Sequence, residues 1–161
     1  HSCPGLAYGV VMTQIAMDKL ACSRDKNEEL LAITETDFCG VDALQYLSGC
    51  TLGKGNLIYK NTGKKAFTLI RRSDGNGVRV YCDSSNIKAE NREEKIKKIL
   101  SMPAEDICVV KVINMEMPEE ARLFDNVECS LCGEKLAENR ALLYKGKLFC
   151  RDCLKEYSRE L

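Results

Sequence analysis

Two groups of residues in this chain could do chemistry. CSLC (residues 129–132) and CRDC (150–153) set four thiols in two C-x-x-C pairs, with 17 residues between the pairs. That spacing falls in the C-x₂-C-x₁₅₋₂₀-C-x₂-C range of zinc sites. Four thiolates close a tetrahedron around one Zn²⁺ at about 2.3 Å if the chain turns back between the pairs. The second group opens the chain as HSCPG. His1 is the only histidine and lies two positions before Cys3; Cys39 sits further on, in ETDFCGVDA. Each of these cysteines stands just before a segment that reads as a helix, where the helix dipole favours thiolate. One imidazole and two thiolates make a three-ligand metal set with its fourth position open, as in catalytic zinc. Two other readings stay open here. Cys3 and Cys39 could form a redox dithiol, or they could be core residues beside a terminal histidine.

The elements that must position these residues can be read from periodicity. PGLAYGVVMTQIAMDKL (4–20) repeats its apolar residues at helical spacing, with Pro4 in the first turn. LLAIT (30–34) reads as a buried strand, and VDALQYLSG as a short helix closed by Gly49. From Asn56 to Cys82 the apolar runs are split by NTGKK and SDGNG, which predicts a meander of strands. A helix is expected over 89–101, where Glu93 and Glu94 stand four before Lys97 and Lys98 and Pro103 stops the run. A strand is expected over 107–114. The expected organisation is an α+β domain over 1–117, a polar linker over 118–128 and a small cysteine module over 129–161. In that module KLAENRALLYKGKLF supplies a hairpin turning at Lys145–Gly146, and RDCLKEYSREL a helix carrying the second pair. Knuckle, hairpin and helix follow one another in the order of a treble-clef finger.

Composition narrows the function. Lys+Arg and Asp+Glu are both 24, so the chain carries no net charge. This argues against wholesale binding to nucleic acid or anionic membrane. The module itself holds seven basic and six acidic residues over 126–161, which points to a structural or protein-contacting finger. No apolar run approaches the roughly 20 residues of a membrane span, and no signal peptide is visible. Ten cysteines in a charged chain with mixed elements read as thiols and metal thiolates, hence a reducing, cytoplasmic setting. The missing initiator methionine leads us to expect residues upstream of His1. The stretch 43–73 has six basic residues and no acid. Within it Gly53, Lys54 and Gly55 are a candidate site for an anionic small molecule, with backbone amides and one counter-charge. Lys60, Lys64 and Lys65 read as a solvated face. GCTLGKGN does not satisfy the P-loop frame.

The runs HSCPGLAYGVVM, TDFCGVDA and GCTLGKGN, followed by the paired cysteines, resemble the FmdE family of formylmethanofuran dehydrogenase components. The likeness covers most of 1–82 and returns over 129–153. It implies a mixed sheet flanked by helices, somewhat thioredoxin-like, often with a treble-clef zinc finger appended. It also implies an active site at His1, Cys3 and Cys39 holding a divalent metal such as zinc. Cys50, in the GCT run, is carried as a thiol beside that site, although a helix over about 41–48 would hold it roughly 12 Å from Cys39. The resemblance places the protein in the one-carbon metabolism of anaerobes such as methanogens. It would serve there as a metal-binding subunit of an oxidoreductase or as an accessory delivering metal, cofactor or electrons to one. Oxidoreductase subunits are the expected partners, and a homodimer the expected assembly. Cys22, Cys82 and Cys108 show no patterned partner and read as buried free thiols.

Overall fold

The computed structural model describes residues 1–83 and 87–155. It forms two compact units, His1–Ala121 and Arg122–Leu161. The segment read as a linker is shared out: 118–121 goes with the first unit and 126–128 is a strand of the second.

In the first unit α1 (Pro4–Leu20) starts where expected, because Cys3 caps it and Pro4 takes the first turn. β1 (Leu30–Thr34) is buried along nearly its whole length, as a central strand must be. α2 (Gly40–Ser48) ends at Gly49. β2 (Leu57–Tyr59), β3 (Ala66–Arg71) and β4 (Asn76–Cys82) follow. α3 (Arg92–Ser101) begins three residues later than its charge pattern suggests, since the Asn91 side chain caps it by accepting from Glu94 N–H at 2.9 Å. A single turn, α4 (Ala104–Ile107), leads into β5 (Cys108–Asn114). None of the described helices is long and apolar enough to cross a membrane.

The sheet runs β2-β1-β3-β4-β5. β3, β4 and β5 are successive antiparallel neighbours, and β1 pairs antiparallel with β3. The expected meander is therefore only half right. β2 lies on the far side of β1 and pairs with it in parallel, Ala32 opposite Leu57. NTGKK carries the chain across the end of β1 instead of folding β2 back on β3. The reason is burial: β1, apolar on both faces, takes the inner position, and the three-residue β2, with Ile58 and Tyr59 exposed, is left at the edge.

One face of this mixed sheet, including Leu30, Ala32, Phe67, Leu69, Val78 and Val80, shares a single core with Met12, Ile15, Leu44 and Ile99 from the helices. Each of the larger side chains contributes about 1.5–3 kcal/mol on burial. Cys82 and Cys108 belong to this core. They are register partners across β4 and β5, a pairing the sequence pattern does not reveal, and the Cys82 thiol donates to Ile107 O at 3.1 Å.

Helices α1 and α2 meet at Gly9 and Gly40. A Cβ on Gly9 would lie 2.4 Å from both Cα and O of Gly40, so the two backbones touch. The intruding contact is with main chain, which no side-chain rotation relieves. Gly9→Ala should destabilise the first unit by about 1–3 kcal/mol, more than alanine returns in helix propensity. Urea unfolding of wild type and variant measures this.

Candidate metal centres

At the first centre, Cys3 is extended and its Sγ accepts the Leu6 N–H at 3.2 Å, which ties the sulfur to the start of α1. The imidazole of His1 reaches the same sulfur, with Nε2 3.4 Å away. Cys39 arrives from the other helix. The segment leading to it is pinned at two points. The Glu35 carboxylate accepts from Arg79 Nε at 2.6 Å and from Thr62 Oγ1 at 2.8 Å, and Phe38 stacks on Phe67 with centroids 5.5 Å apart. Gly5 completes the approach, leaving only 3.4 Å between its ideal Cβ position and Cβ of Cys39. One ligand atom from each of His1, Cys3 and Cys39 lies within 4.8 Å of the others. A tetrahedral metal with Zn–N of about 2.05 Å and Zn–S of about 2.3 Å needs an N···S edge of about 3.6 Å, close to the His1–Cys3 separation.

The two thiols are not equivalent, contrary to the expectation that both helix starts favour thiolate. Burial pushes the Cys3 thiol up, but it is outweighed by hydrogen bonds from Leu6 N–H and Cys39, with smaller contributions from Gly5 and the Arg92 side chain. Cys3 ends below its ordinary value. Cys39 is pushed up, first by its hydrogen bond to Cys3 and then by desolvation and the Cys3 charge. Its backbone is already helical and its side chain caps nothing, and the hydrogen bond from its own N–H does not offset the rise. Arg92, in the first turn of α3, is a participant that nothing in the sequence pattern marks.

Cys50 stands apart. It is fully buried at the other end of α2, where desolvation pushes its thiol up to about 11, and it belongs to the core. Lys54, expected to counter a bound anion, instead pairs with the buried carboxylate of Asp25. Asn56 Nδ2 and Leu30 N–H also donate to that carboxylate, at 2.9 and 2.8 Å. The amide of Gly55 is used too, on Leu52 O at 3.1 Å, while Gly53 has open space around it. Acid-free in sequence, the stretch has its Lys54 paired in space with an aspartate nearly thirty residues upstream. Lys60, Lys64 and Lys65 are exposed.

At the second centre, β6 (Asn126–Glu128) and β7 (Lys135–Ala137) form a hairpin whose loop is the first cysteine pair. β8 (Leu142–Tyr144) and β9 (Lys147–Phe149) form another, turning at Lys145–Gly146 with φ of 49° and 74°. Two consecutive positive φ values match a type I′ turn. The expected single hairpin between the pairs is thus narrower than predicted, because Lys135–Ala137 folds back on β6. Ser130 N–H donates to Leu148 O at 2.8 Å and Cys150 N–H to Cys129 Sγ at 3.3 Å, which brings the pairs together. The expected helix over 151–161 lies largely outside the described residues; 151–153 form a turn.

Cys129, Cys132, Cys150 and Cys153 each place a sulfur within 4.8 Å of the other three, and the sulfurs of Cys132 and Cys150 are 4.0 Å apart. A Zn–S tetrahedron needs about 3.8 Å. Backbone N–H groups of Cys132, Cys150 and Leu131 pull Cys129 down to about 6. Hydrogen bonding to Cys150 and the other neighbouring thiols pushes Cys153 up to about 12. One anionic sulfur is stabilised by the fold; four are not, and a dication is the partner such a cluster lacks.

A family model described as "FmdE, Molybdenum formylmethanofuran dehydrogenase operon" matches residues 1–109. A protein of Archaeoglobus fulgidus named "Probable S-adenosyl-L-methionine-binding protein" is 36% identical over 166 aligned positions. The alignment covers 83% of this chain but only 45% of that protein, so this chain spans less than half of its relative's length. The crystal structure of an FmdE-like protein of tungsten formylmethanofuran dehydrogenase type, from Syntrophus aciditrophicus, superposes with a TM-score of 0.69 at 25% identity. That match covers 93% of this chain and 82% of the other.

Two outcomes test the geometry. Cys132→Ser should remove one metal per chain and collapse the amide dispersion of residues 126–149, leaving the first unit folded; elemental analysis and an amide correlation spectrum read both. Glu35→Gln should cost about 1.5–3 kcal/mol at pH 7. The Arg79 hydrogen bond is the main cause of a Glu35 pKa held below its ordinary value. The stabilisation is therefore complete above the unfolded value of about 4.3 and is lost as pH falls through the depressed folded value. Denaturation at pH 7 and pH 3 should show the wild-type advantage shrinking towards acid.

Proposed function

The chain belongs to the FmdE family, and on that premise we propose that it is a two-centre metal protein. His1, Cys3 and Cys39 hold a divalent ion with an open coordination position, and Cys129, Cys132, Cys150 and Cys153 hold a structural zinc. The observation that carries the reading is the convergence of an imidazole and two sulfurs, from the chain start and two different helices, on one small volume. A divalent ion there supplies Lewis acidity at its open position. The chain's own residues do the rest. Leu6 N–H orients the Cys3 sulfur and favours its anionic form, Arg92 adds positive charge beside it, and Cys39, whose thiol Cys3 pushes up, would lose its proton on binding a cation. With three protein ligands the centre suits a task in one-carbon redox metabolism, as a subunit or accessory of an oxidoreductase. The ligand in the archaeal relative's name is not extended to this chain, which matches less than half of that protein.

The hydrogen bond between Cys3 and Cys39 favours a second reading, a dithiol. On exchange with a small disulfide, the two sulfurs would join, and their two protons and two electrons would pass to the small disulfide, reducing it to two thiols.

Elemental analysis of anaerobically purified protein separates these readings. Two metals per chain, falling to one in Cys3→Ala, is the expected result. One metal in both proteins sinks the first centre, and reversible loss of two titratable thiols in metal-free wild type then supports the dithiol.

A further inference from the structure

Four cysteines lie outside the two metal centres: Cys22, Cys50, Cys82 and Cys108. Cys22 turns its thiol to Met17 O, 3.8 Å away at the end of α1, and Cys50 is closed into the core. Cys82 and Cys108 are different. They stand directly opposite each other in the β4–β5 ladder, so both side chains leave the sheet on the same face, into the core. Partners in an antiparallel ladder have Cα atoms about 4.5 or 5.5 Å apart, depending on the type of pair. Both values fall inside the roughly 4.4–6.8 Å that a disulfide spans. The Cys82 sulfur also leans towards its partner strand. It lies 3.1 Å from Ile107 O, the carbonyl of the peptide that leads into Cys108.

The pair is also the last rung of its ladder. Cys82 ends β4 and Cys108 begins β5, and strand ends open before strand centres do. A hollow of about 280 Å³ lies at this end, lined in part by Lys64, Tyr81 and Cys82. It brings a small reagent to the end of β4, although both thiols are buried. The two differ as nucleophiles. Hydrogen bonding to Cys108, and then burial, push the Cys82 thiol up. The same bond pulls Cys108 below its ordinary value, against its own burial.

We propose that Cys82 and Cys108 are a reversible disulfide site, closed by exchange with a small disulfide. The Cys108 thiolate attacks one sulfur of the reagent, whose S–S bond breaks and whose other half leaves as a thiol. Cys82 then attacks Cys108 in the mixed disulfide, forms the Cys82–Cys108 bond and releases the second half. Two electrons and two protons pass from the pair to the reagent, which becomes two thiols. The loop so closed carries α3 and α4. Oxidation thereby ties to the sheet the helix that sets Arg92 beside Cys3. The inference rests on neither metal-centre reading.

The test uses the unaltered full chain, purified with zinc and held in buffers of graded glutathione to glutathione-disulfide ratio. Each sample is quenched in acid, alkylated and digested with trypsin. Cleavage after Arg79, Lys88, Lys98 and Lys111 puts the two cysteines on separate peptides, 80–88 and 99–111. A cross-linked species of these two peptides, formed at oxidising ratios and lost on adding dithiothreitol, is the expected result. The oxidised chain should also unfold at higher urea than its reduced form, because the link restricts the unfolded chain. Cys3→Ala should keep both changes, and Cys82→Ala should lose both. Alkylation of both peptides at every ratio would overturn the proposal. So would a link that forms only after unfolding in urea, or one that joins either cysteine to a different residue.

Discussion

The backbone contact between Gly9 and Gly40 is the constraint on which the first metal centre rests. Side chains normally hold packed helices 8–10 Å apart. Here two residues without side chains let α1 and α2 touch. Cys3 and Cys39 each stand immediately before their helix, so the separation of the two helix starts sets the separation of their sulfurs. Gly5 extends the same close approach to the level of the ligands themselves. A Cβ at the crossing would wedge the helices apart and lengthen the Cys3–Cys39 distance beyond what one ion can span.

Two buried carboxylates hold the loops around this crossing, and each uses a cation that looks free in the sequence. Glu35 binds Arg79 and Thr62 and so fixes the chain between β1 and α2, the segment that delivers Cys39. Asp25 binds Lys54, Asn56 and the backbone of its own loop, which joins the end of α1 to the start of β1. Leaving either carboxylate unpaired in the interior would be costly. Of the basic stretch over 43–73, Lys54 is thus the counter-charge of a buried acid, while Lys60, Lys64 and Lys65 face outward.

The two cysteine clusters share one electrostatic logic. In each, backbone N–H groups help pull one thiol down, Cys3 in one and Cys129 in the other, while Cys39 and Cys153 beside them are pushed up because further negative charge is unfavourable. A cation removes that penalty and releases the protons. The clusters differ in closure. Four sulfurs complete a tetrahedron, whereas one imidazole and two sulfurs leave a vertex open. With ions bound, that difference would separate a centre that only holds structure from one that can also meet a ligand.

Much was legible in the sequence because it depends on local spacing. The bounds of α1 and β1, the four-cysteine cluster and the Lys145–Gly146 turn follow from periodicity, capping and motif spacing, which neighbouring residues decide among themselves. His1, Cys3 and Cys39 could be nominated by residue type and by the runs that resemble the FmdE family. What tertiary structure alone decided is everything that joins distant segments. It placed β2 beyond β1, where burial ranks the strands, and matched Cys82 with Cys108 through β-register. It gave Lys54 to Asp25, and it split the proton affinities of Cys3 and Cys39, whose sequence contexts look alike. The physical reason is the same in each case. Pattern along a chain specifies which face a residue shows, but desolvation, charge pairing and close packing depend on what the fold brings against that face.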